Sequence, residues 1–181
     1  MINEVIAPVY WFTGLSGSGK TTIAEGTKTR LEEDDITVLI IDGDDIRTEI
    51  HRHLGFSEAD IKTNNELISG LCESHRSEFD VILVPIISPY IASRKKARAR
   101  LGNGFFEVYC NASLETVVKR DVKGLYAMAS RYEIPDMIGY SPKSVYEPPE
   151  NPDFVLDSGK ASAEVSVEAF HKFVCRHLHT G

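Results

Sequence analysis

The stretch Gly14-Leu15-Ser16-Gly17-Ser18-Gly19-Lys20-Thr21-Thr22 decides how this chain is read. Gly14, Gly19, Lys20 and Thr21 fit the spacing G-x-x-x-x-G-K-[ST]. Glycines here let the backbone curl round a phosphate chain with its N–H groups turned inward, in conformations a side chain forbids. Lys20 then reaches the β- and γ-phosphates, and the Thr21 hydroxyl ligates Mg²⁺. Thr22 and its successors open a helix whose positive end favours the anion further. Before the loop, Val9-Tyr10-Trp11-Phe12 reads as a buried strand. After it, Ile23-Ala24-Glu25 begins a helical pattern running to about Leu31. Strand, glycine loop and helix in that order is the context that separates a phosphate site from a chance match. All nine residues, 14–22, are candidate nucleotide-binding residues.

Composition sets the bounds. The chain has 181 residues, 42% of them apolar and 26% charged, with net charge −7. That predicts one domain over 1–181 with a proper core, and argues against nucleic acid as the main partner. The apolar runs are only a few residues long, so no membrane span is expected. Met1-Ile2-Asn3-Glu4 has neither the basic start nor the long apolar core of a signal peptide. Cys72, Cys110 and Cys175 are odd in number, widely spaced and without a C-x-x-C pair. Reduced thiols in the cytoplasm fit best, and metal ligation by them is not expected.

Along the chain, Thr37–Ile41 is a second apolar strand that runs into Asp42-Gly43-Asp44-Asp45. A short helix is predicted over 45–54, and Ser57 caps a longer one reaching about Phe79. Val81–Ile87 is a third strand with Pro85 near its end, where a missing N–H is tolerable. Tyr90–Leu101 reads as a helix, Phe105–Cys110 as a strand, Ser113–Arg120 as a short helix. Residues 121–152 are irregular and read as a lid, because loops of that length are usually functional. Phe154–Leu156 is a fifth strand and Ala161–Leu178 a closing helix. The alternation predicts an α/β fold: a three-layer sandwich with a mainly parallel five-stranded sheet, helices on both faces, and a lid. Ligands in such folds lie beyond the carboxyl ends of the strands.

At that edge, Asp42 and Asp44 flank a glycine and project two carboxylates from one turn. One can hold Mg²⁺ and the other can take a proton from an acceptor hydroxyl; a plain strand-ending turn is the alternative. The third strand ends without a carboxylate, and no Asn-Lys-x-Asp motif exists, which disfavours a motor ATPase or a GTPase.

Gly14–Thr22, Asp42-Gly43-Asp44-Asp45-Ile46-Arg47, Leu54-Gly55-Phe56-Ser57, Ile87-Ser88-Pro89-Tyr90, Arg120–Tyr126 and Tyr146–Pro152 occur in this order. Together they resemble the adenylyl-sulfate kinase family over nearly the whole chain, most specifically in Lys123-Gly124-Leu125-Tyr126 and Tyr146-Glu147-Pro148-Pro149. The resemblance implies a P-loop kinase fold, ATP as phosphate donor, Mg²⁺, and the 3′-hydroxyl of adenosine 5′-phosphosulfate as acceptor. It implies that Asp44 contacts that hydroxyl, Arg47 the acceptor's phosphate-sulfate group, and Phe56 its base. Asn64 and Ser88 would bond nearby, Lys123 would neutralise the transferring phosphate, and Arg120 would lie against the ATP adenine. Lys20, Asp42, Asp44, Ser88 and Lys123 are thus the catalytic candidates, Thr21 and Asp42 the metal ligands, and a homodimer the expected assembly. For Ser88, direct in-line transfer is favoured over a phosphoserine intermediate, since no neighbouring base is evident.

The chain departs from the family pattern on the acceptor side. Ile61 and Ile91 stand where arginines are usual, Glu66 and Leu67 replace a pair of arginines, and Asp136-Met137-Ile138-Gly139 replaces Gly-Phe-Thr-Gly. The aromatic partner of Phe56 is missing or displaced to Tyr140. A different nucleotide-linked anion, such as a cytidine diphosphate derivative, is therefore an alternative acceptor. An ATP-binding protein without transfer and a nucleotide hydrolase are the other classes. Elsewhere, Arg94, Lys95, Lys96, Arg98 and Arg100 read as a solvated basic face. His171, His177 and His179 read as surface residues, and Phe170, Phe173, Val174 and Leu178 as core.

Overall fold

The computed structural model describes residues 6–43, 46, 55 and 57–178. Five strands form one sheet: β1 (Val9–Thr13), β2 (Val38–Ile40), β3 (Val81–Val84), β4 (Phe105–Cys110) and β5 (Phe154–Leu156). Their order is β2-β3-β1-β4-β5 and every pairing is parallel. Among the described residues six helices accompany them: α1 (Lys20–Glu33), α2 (Glu58–His75), α3 (Ile91–Leu101), α4 (Leu114–Arg120), α5 (Leu125–Ser130) and α6 (Ala163–Leu178).

The strands are apolar on both faces because both are covered. Tyr10 and Phe12 of β1, with Val81 and Leu83 of β3, enter one core with Ile23 and Leu31 of α1 and Phe170 and Val174 of α6. Their neighbours Val9, Trp11, Ile82 and Val84 enter the other core, with Ile68 and Cys72 of α2 and Ala97 and Leu101 of α3. The period-two alternation thus serves two cores, which is how a parallel strand comes to read as one unbroken apolar run. The expected three-layer sandwich is present.

Local signals set most boundaries. Ser57 caps α2 by accepting a bond from the Asp60 N–H at 3.1 Å, and Ser113 caps α4 by accepting from Thr116 N–H at 3.2 Å. Pro85 follows the last residue of β3, so the strand stops where a donor is lost. The long helix ends at His75, short of the expected Phe79. Arg76 explains this: its buried guanidinium donates to the carbonyls of Ala7, Leu101 and Asn103, anchoring the chain there. The helix expected over 45–54 lies, apart from Ile46, outside the described residues.

Two expectations need correction. Residues 121–152 are not simply irregular, because α5 forms within them and they own a small core. Tyr126, Ala129 and Met137 pack there with Leu15, Ala112 and Val117. Nor is the basic stretch on α3 wholly solvated. Arg94 is 2% exposed, while Lys96, Arg98 and Arg100 pair at the surface with Glu66, Asp153 and Glu73.

Phe170 is the knot of the first core. Its ring meets Tyr10, Phe12, Phe154 and Phe173, with centroids 5.0–6.4 Å apart. Phe170→Ala is expected to lower stability by about 3–5 kcal/mol, the range for truncating a buried aromatic. Urea unfolding monitored at Trp11 measures it; a loss under ~1 kcal/mol would contradict this packing.

Candidate active site

The strand order turns about β1, with β3 on one side and β4 on the other. A crevice at the carboxyl ends of the strands is what such a turn produces, and the 14–19 loop emerges there. Gly14 sits at φ 151°, and a Cβ on it would lie 2.7 Å from the Cys110 carbonyl oxygen. Only glycine lets the loop turn this close to β4. Burial beneath that turn pushes the Cys110 thiol up to about 12, so it stays neutral and unreactive.

Lys20, Thr21 and Thr22 form the first turn of α1. Lys20 is buried there, 6% exposed. Its ammonium donates to the carbonyls of Gly14 at 3.0 Å and Leu15 at 2.8 Å. This holds the cation inside the loop that the sequence pattern assigns to phosphates. The Thr21 hydroxyl donates to Asp42 Oδ2 at 3.1 Å, joining the start of α1 to the end of β2. Two hard oxygen donors lie side by side beside the loop, the donor set Mg²⁺ takes alongside phosphate oxygens. Thr22 is exposed on the same turn.

Ser88 lies beyond β3, buried and at φ 41°, a left-handed conformation that a serine adopts only when its surroundings impose it. Those surroundings are identifiable. Its hydroxyl oxygen accepts from Trp11 Nε1 at 3.0 Å and Asn65 Nδ2 at 3.3 Å. Its carbonyl accepts from Arg94 Nη1 at 2.6 Å and Thr13 Oγ1 at 3.1 Å. With both lone pairs of the hydroxyl engaged by donors, and no base facing it among the described residues, Ser88 is poorly set up as a nucleophile.

Arg94 organises the region. It pairs with Glu107 of β4 and donates to the carbonyls of Ser88 and Glu147. Glu147 in turn accepts from the Ile91 N–H at 2.7 Å, which caps α3. Segment 121–152 is therefore seated on the site. Tyr126 donates its hydroxyl to Ser16 O at 2.9 Å, and burial raises that phenol to about 12, keeping the donor protonated. Tyr146 Oη lies 3.0 Å from Thr13 Oγ1. The Thr13 proton is already directed at the Ile87 and Ser88 carbonyls, so Tyr146 is the donor in this pair. Gly139 fits against Leu15 so closely that a Cβ would meet its Cδ2 at 2.3 Å.

The remaining candidates are placed as follows. Asn64 is buried on α2 and Lys123 is exposed just before α5. Arg120 ends α4, where it donates to the Ser158 carbonyl at 2.8 Å. Asp44, Arg47 and Phe56 lie outside the described residues. Tyr140 packs edge-on against Tyr126, with centroids 5.7 Å apart. Ile61, Met137 and Ile138 are buried, and Met137 belongs to the small core under the covering segment. The departure from the family pattern at Met137 thus fills a packing position. The structure adds Trp11, Thr13, Asn65, Arg94 and Glu107, which no motif marks, and gives Tyr146, quoted only as part of a motif, a place beside Thr13.

Comparison with known proteins follows this geometry. A family model described as Adenylylsulphate kinase matches residues 7–157. An adenylyl-sulfate kinase of Acaryochloris marina is 39% identical over 173 residues, which cover 95% of this chain and 83% of that protein. One of Halothermothrix orenii is 43% identical over 156 residues, covering 86% and 83%. Among solved structures, the Mycobacterium tuberculosis APS kinase in complex with AMPPNP and APS is similar with a TM-score of 0.87 and 34% identity. That match covers 94% of this chain and 98% of the other.

Arg94→Met is expected to cost about 3–5 kcal/mol, because it leaves the largely buried Glu107 carboxylate with only the more distant Arg98 at 3.9 Å. Adding Glu107→Gln should recover part of that loss. Denaturant unfolding of the single and double variants measures it, and a strictly additive result would show that the pair is not coupled.

Proposed function

This chain belongs to the adenylylsulphate kinase family, phosphotransferases that act on a hydroxyl group, and on that premise we propose that it transfers the γ-phosphate of ATP to the 3′-hydroxyl of adenosine 5′-phosphosulfate. The observation that carries the reading is the likeness to a kinase solved with AMPPNP and APS, which extends over 94% of this chain. A likeness of that extent runs well beyond the phosphate loop.

In this reading the loop N–H groups of 14–19 cradle the phosphates, and Lys20 exchanges its Gly14 and Leu15 carbonyl partners for phosphate oxygens. Thr21 and Asp42 hold Mg²⁺, which when bound offsets charge on the β- and γ-phosphates. Asp44 accepts the proton of the acceptor hydroxyl. The acceptor oxygen bonds to the γ-phosphorus as the bond to the β–γ bridging oxygen breaks, leaving ADP. Lys123 and Arg120 act from the donor side, on the transferring phosphate and the adenine. Arg47, Phe56 and Asn64 hold the acceptor. These roles rest on the positions the residues occupy in the family pattern. Ser88 positions the acceptor and takes no phosphate, which the engagement of its hydroxyl by Trp11 and Asn65 supports.

A cleft near the start of α2 is bounded by Ser57, Glu58, Tyr90, Asp136, Lys143 and Ser144. With Ile61 buried close to that helix start, it supports a second reading in which another nucleotide-linked anion is the acceptor. The proposed setting is one kinase domain over the whole chain, in the cytoplasm, where Cys72, Cys110 and Cys175 remain thiols. Among the described residues no helix is long and apolar enough to cross a membrane. A homodimer is proposed from the family resemblance, and light scattering should return about twice 20.2 kDa.

ADP release measured with ATP, Mg²⁺ and a panel of nucleotide acceptors tests the main reading. Release should depend on an acceptor, adenosine 5′-phosphosulfate giving the highest kcat/KM. Preference for a cytidine diphosphate derivative would favour the second reading, and acceptor-independent release would indicate a hydrolase. Asp44→Asn should lower kcat at least ~100-fold, the scale of general-base catalysis, with little change in ATP affinity. Lys20→Met should remove most turnover. The variant should still fold, but less stably, because the buried Gly14 and Leu15 carbonyls lose their donor.

A further inference from the structure

We propose that Asp34, His171 and Cys175 form a binding site for a borderline-soft divalent cation of the zinc class, separate from the nucleotide site. Asp34 is the residue after the last turn of α1, and His171 and Cys175 lie one turn apart on α6. Residues four apart on a helix share a face, so the two α6 donors point the same way, toward the end of α1. His171 Nε2 is 3.4 Å from Asp34 Oδ2 and 3.5 Å from Cys175 Sγ. All three ligand atoms lie within 4.8 Å of one another.

The two separations from His171 match a tetrahedral ion, and the third ligand pair lies within 4.8 Å. Zinc holds sulfur at about 2.3 Å, imidazole nitrogen near 2.0–2.1 Å and carboxylate oxygen near 2.0–2.2 Å, so ligand atoms round it stand about 3.3–3.6 Å apart. Thiol, imidazole and carboxylate on one ion, with a fourth position open to water, suit zinc or cobalt far better than magnesium or calcium, which want oxygen alone. The backbone under the Asp34 donor is fixed, while its side chain is 60% exposed. Asp34 and Asp35 close the end of α1 through N–H bonds to Leu31 and Glu32, and His171 is half-buried between the helices. Binding sends the Cys175 proton to solvent and leaves the ion on a thiolate, a neutral imidazole and a carboxylate.

The site lies at the far end of α1 from Lys20 and Thr21, a separation of about 21 Å for a helix of this length. Its ion would tie α1 to α6, the two helices that cover one face of the sheet. The sequence hides it, because Asp34 is 137 positions from His171 and no cysteine pair flags it. His171 and His177 are not plain surface residues: both are half-buried, and the His177 ring packs tilted against Phe106 and Phe173. His179 lies outside the described residues.

Cobalt(II) titration of the full chain, with excess Mg²⁺ to occupy the oxygen donors of Thr21 and Asp42, tests the proposal. One equivalent should bind with a thiolate-to-cobalt charge-transfer band, and zinc should abolish the band by displacement. Cys175→Ser should remove the band. Asp34→Asn and His171→Gln should each weaken binding at least ~10-fold, since even outer-shell partners of a metal ligand are worth that much. Zinc should raise the thermal midpoint of the wild type and leave that of Cys175→Ser unmoved. Absence of the band in the wild type would overturn the site. So would a band that survives Cys175→Ser, or unchanged affinity in both other variants.

Discussion

A guanidinium taken out of water must give its N–H groups partners, and Arg94 finds them on three segments far apart in sequence. It holds the Ser88 carbonyl after β3, the Glu107 carboxylate on β4, and the Glu147 carbonyl on the covering segment. The charge is buried, so these bonds are not optional: breaking one leaves a polar group stranded in a dry interior. Arg94 therefore dictates where the Ser88 turn sits relative to the sheet, and where the covering segment rests. Trp11, Asn65 and Thr13 fix the same turn from the sheet and α2. The left-handed backbone at Ser88 persists because the surroundings over-determine it.

That constraint meets a second one across β1. Gly14 must pass close under the Cys110 carbonyl, so the phosphate loop is fixed against β4. Leu15 and Ser16 then present the surface on which Gly139 and Tyr126 land. The crevice is built from both ends: the loop is set by the sheet, and the cover by the loop and Arg94. Catalysis by positioning and electrostatics, the usual route for phosphoryl transfer, needs this kind of rigidity.

The phosphate loop, the strands and the Ser57 cap were legible because each depends on short-range chemistry. Glycine spacing, apolar runs and Ser57 before a helix carry their meaning within a few residues. Arg94 was misread for the opposite reason. In a run of basic residues nothing local marks the one that faces inward, and its partners lie 6 to 53 positions away. Likewise α5 hides within 121–152, where its burial depends on Leu15 and Val117 from elsewhere in the chain. Met137 looked like a lost substrate contact, yet it fills that small core. For Lys20 the motif fixes the identity of the residue but not the backbone carbonyls that draw its ammonium in.

The account stands on the γ-phosphate moving from ATP to the acceptor hydroxyl in one step within this crevice. A single-turnover experiment with γ-labelled ATP, enzyme in excess and adenosine 5′-phosphosulfate present, follows the label directly. It should pass from ATP into 3′-phosphoadenosine 5′-phosphosulfate with no labelled protein at any time, and stay in ATP when the acceptor is withheld. Label accumulating on Ser88 before product, or leaving as inorganic phosphate whether or not acceptor is present, would contradict it.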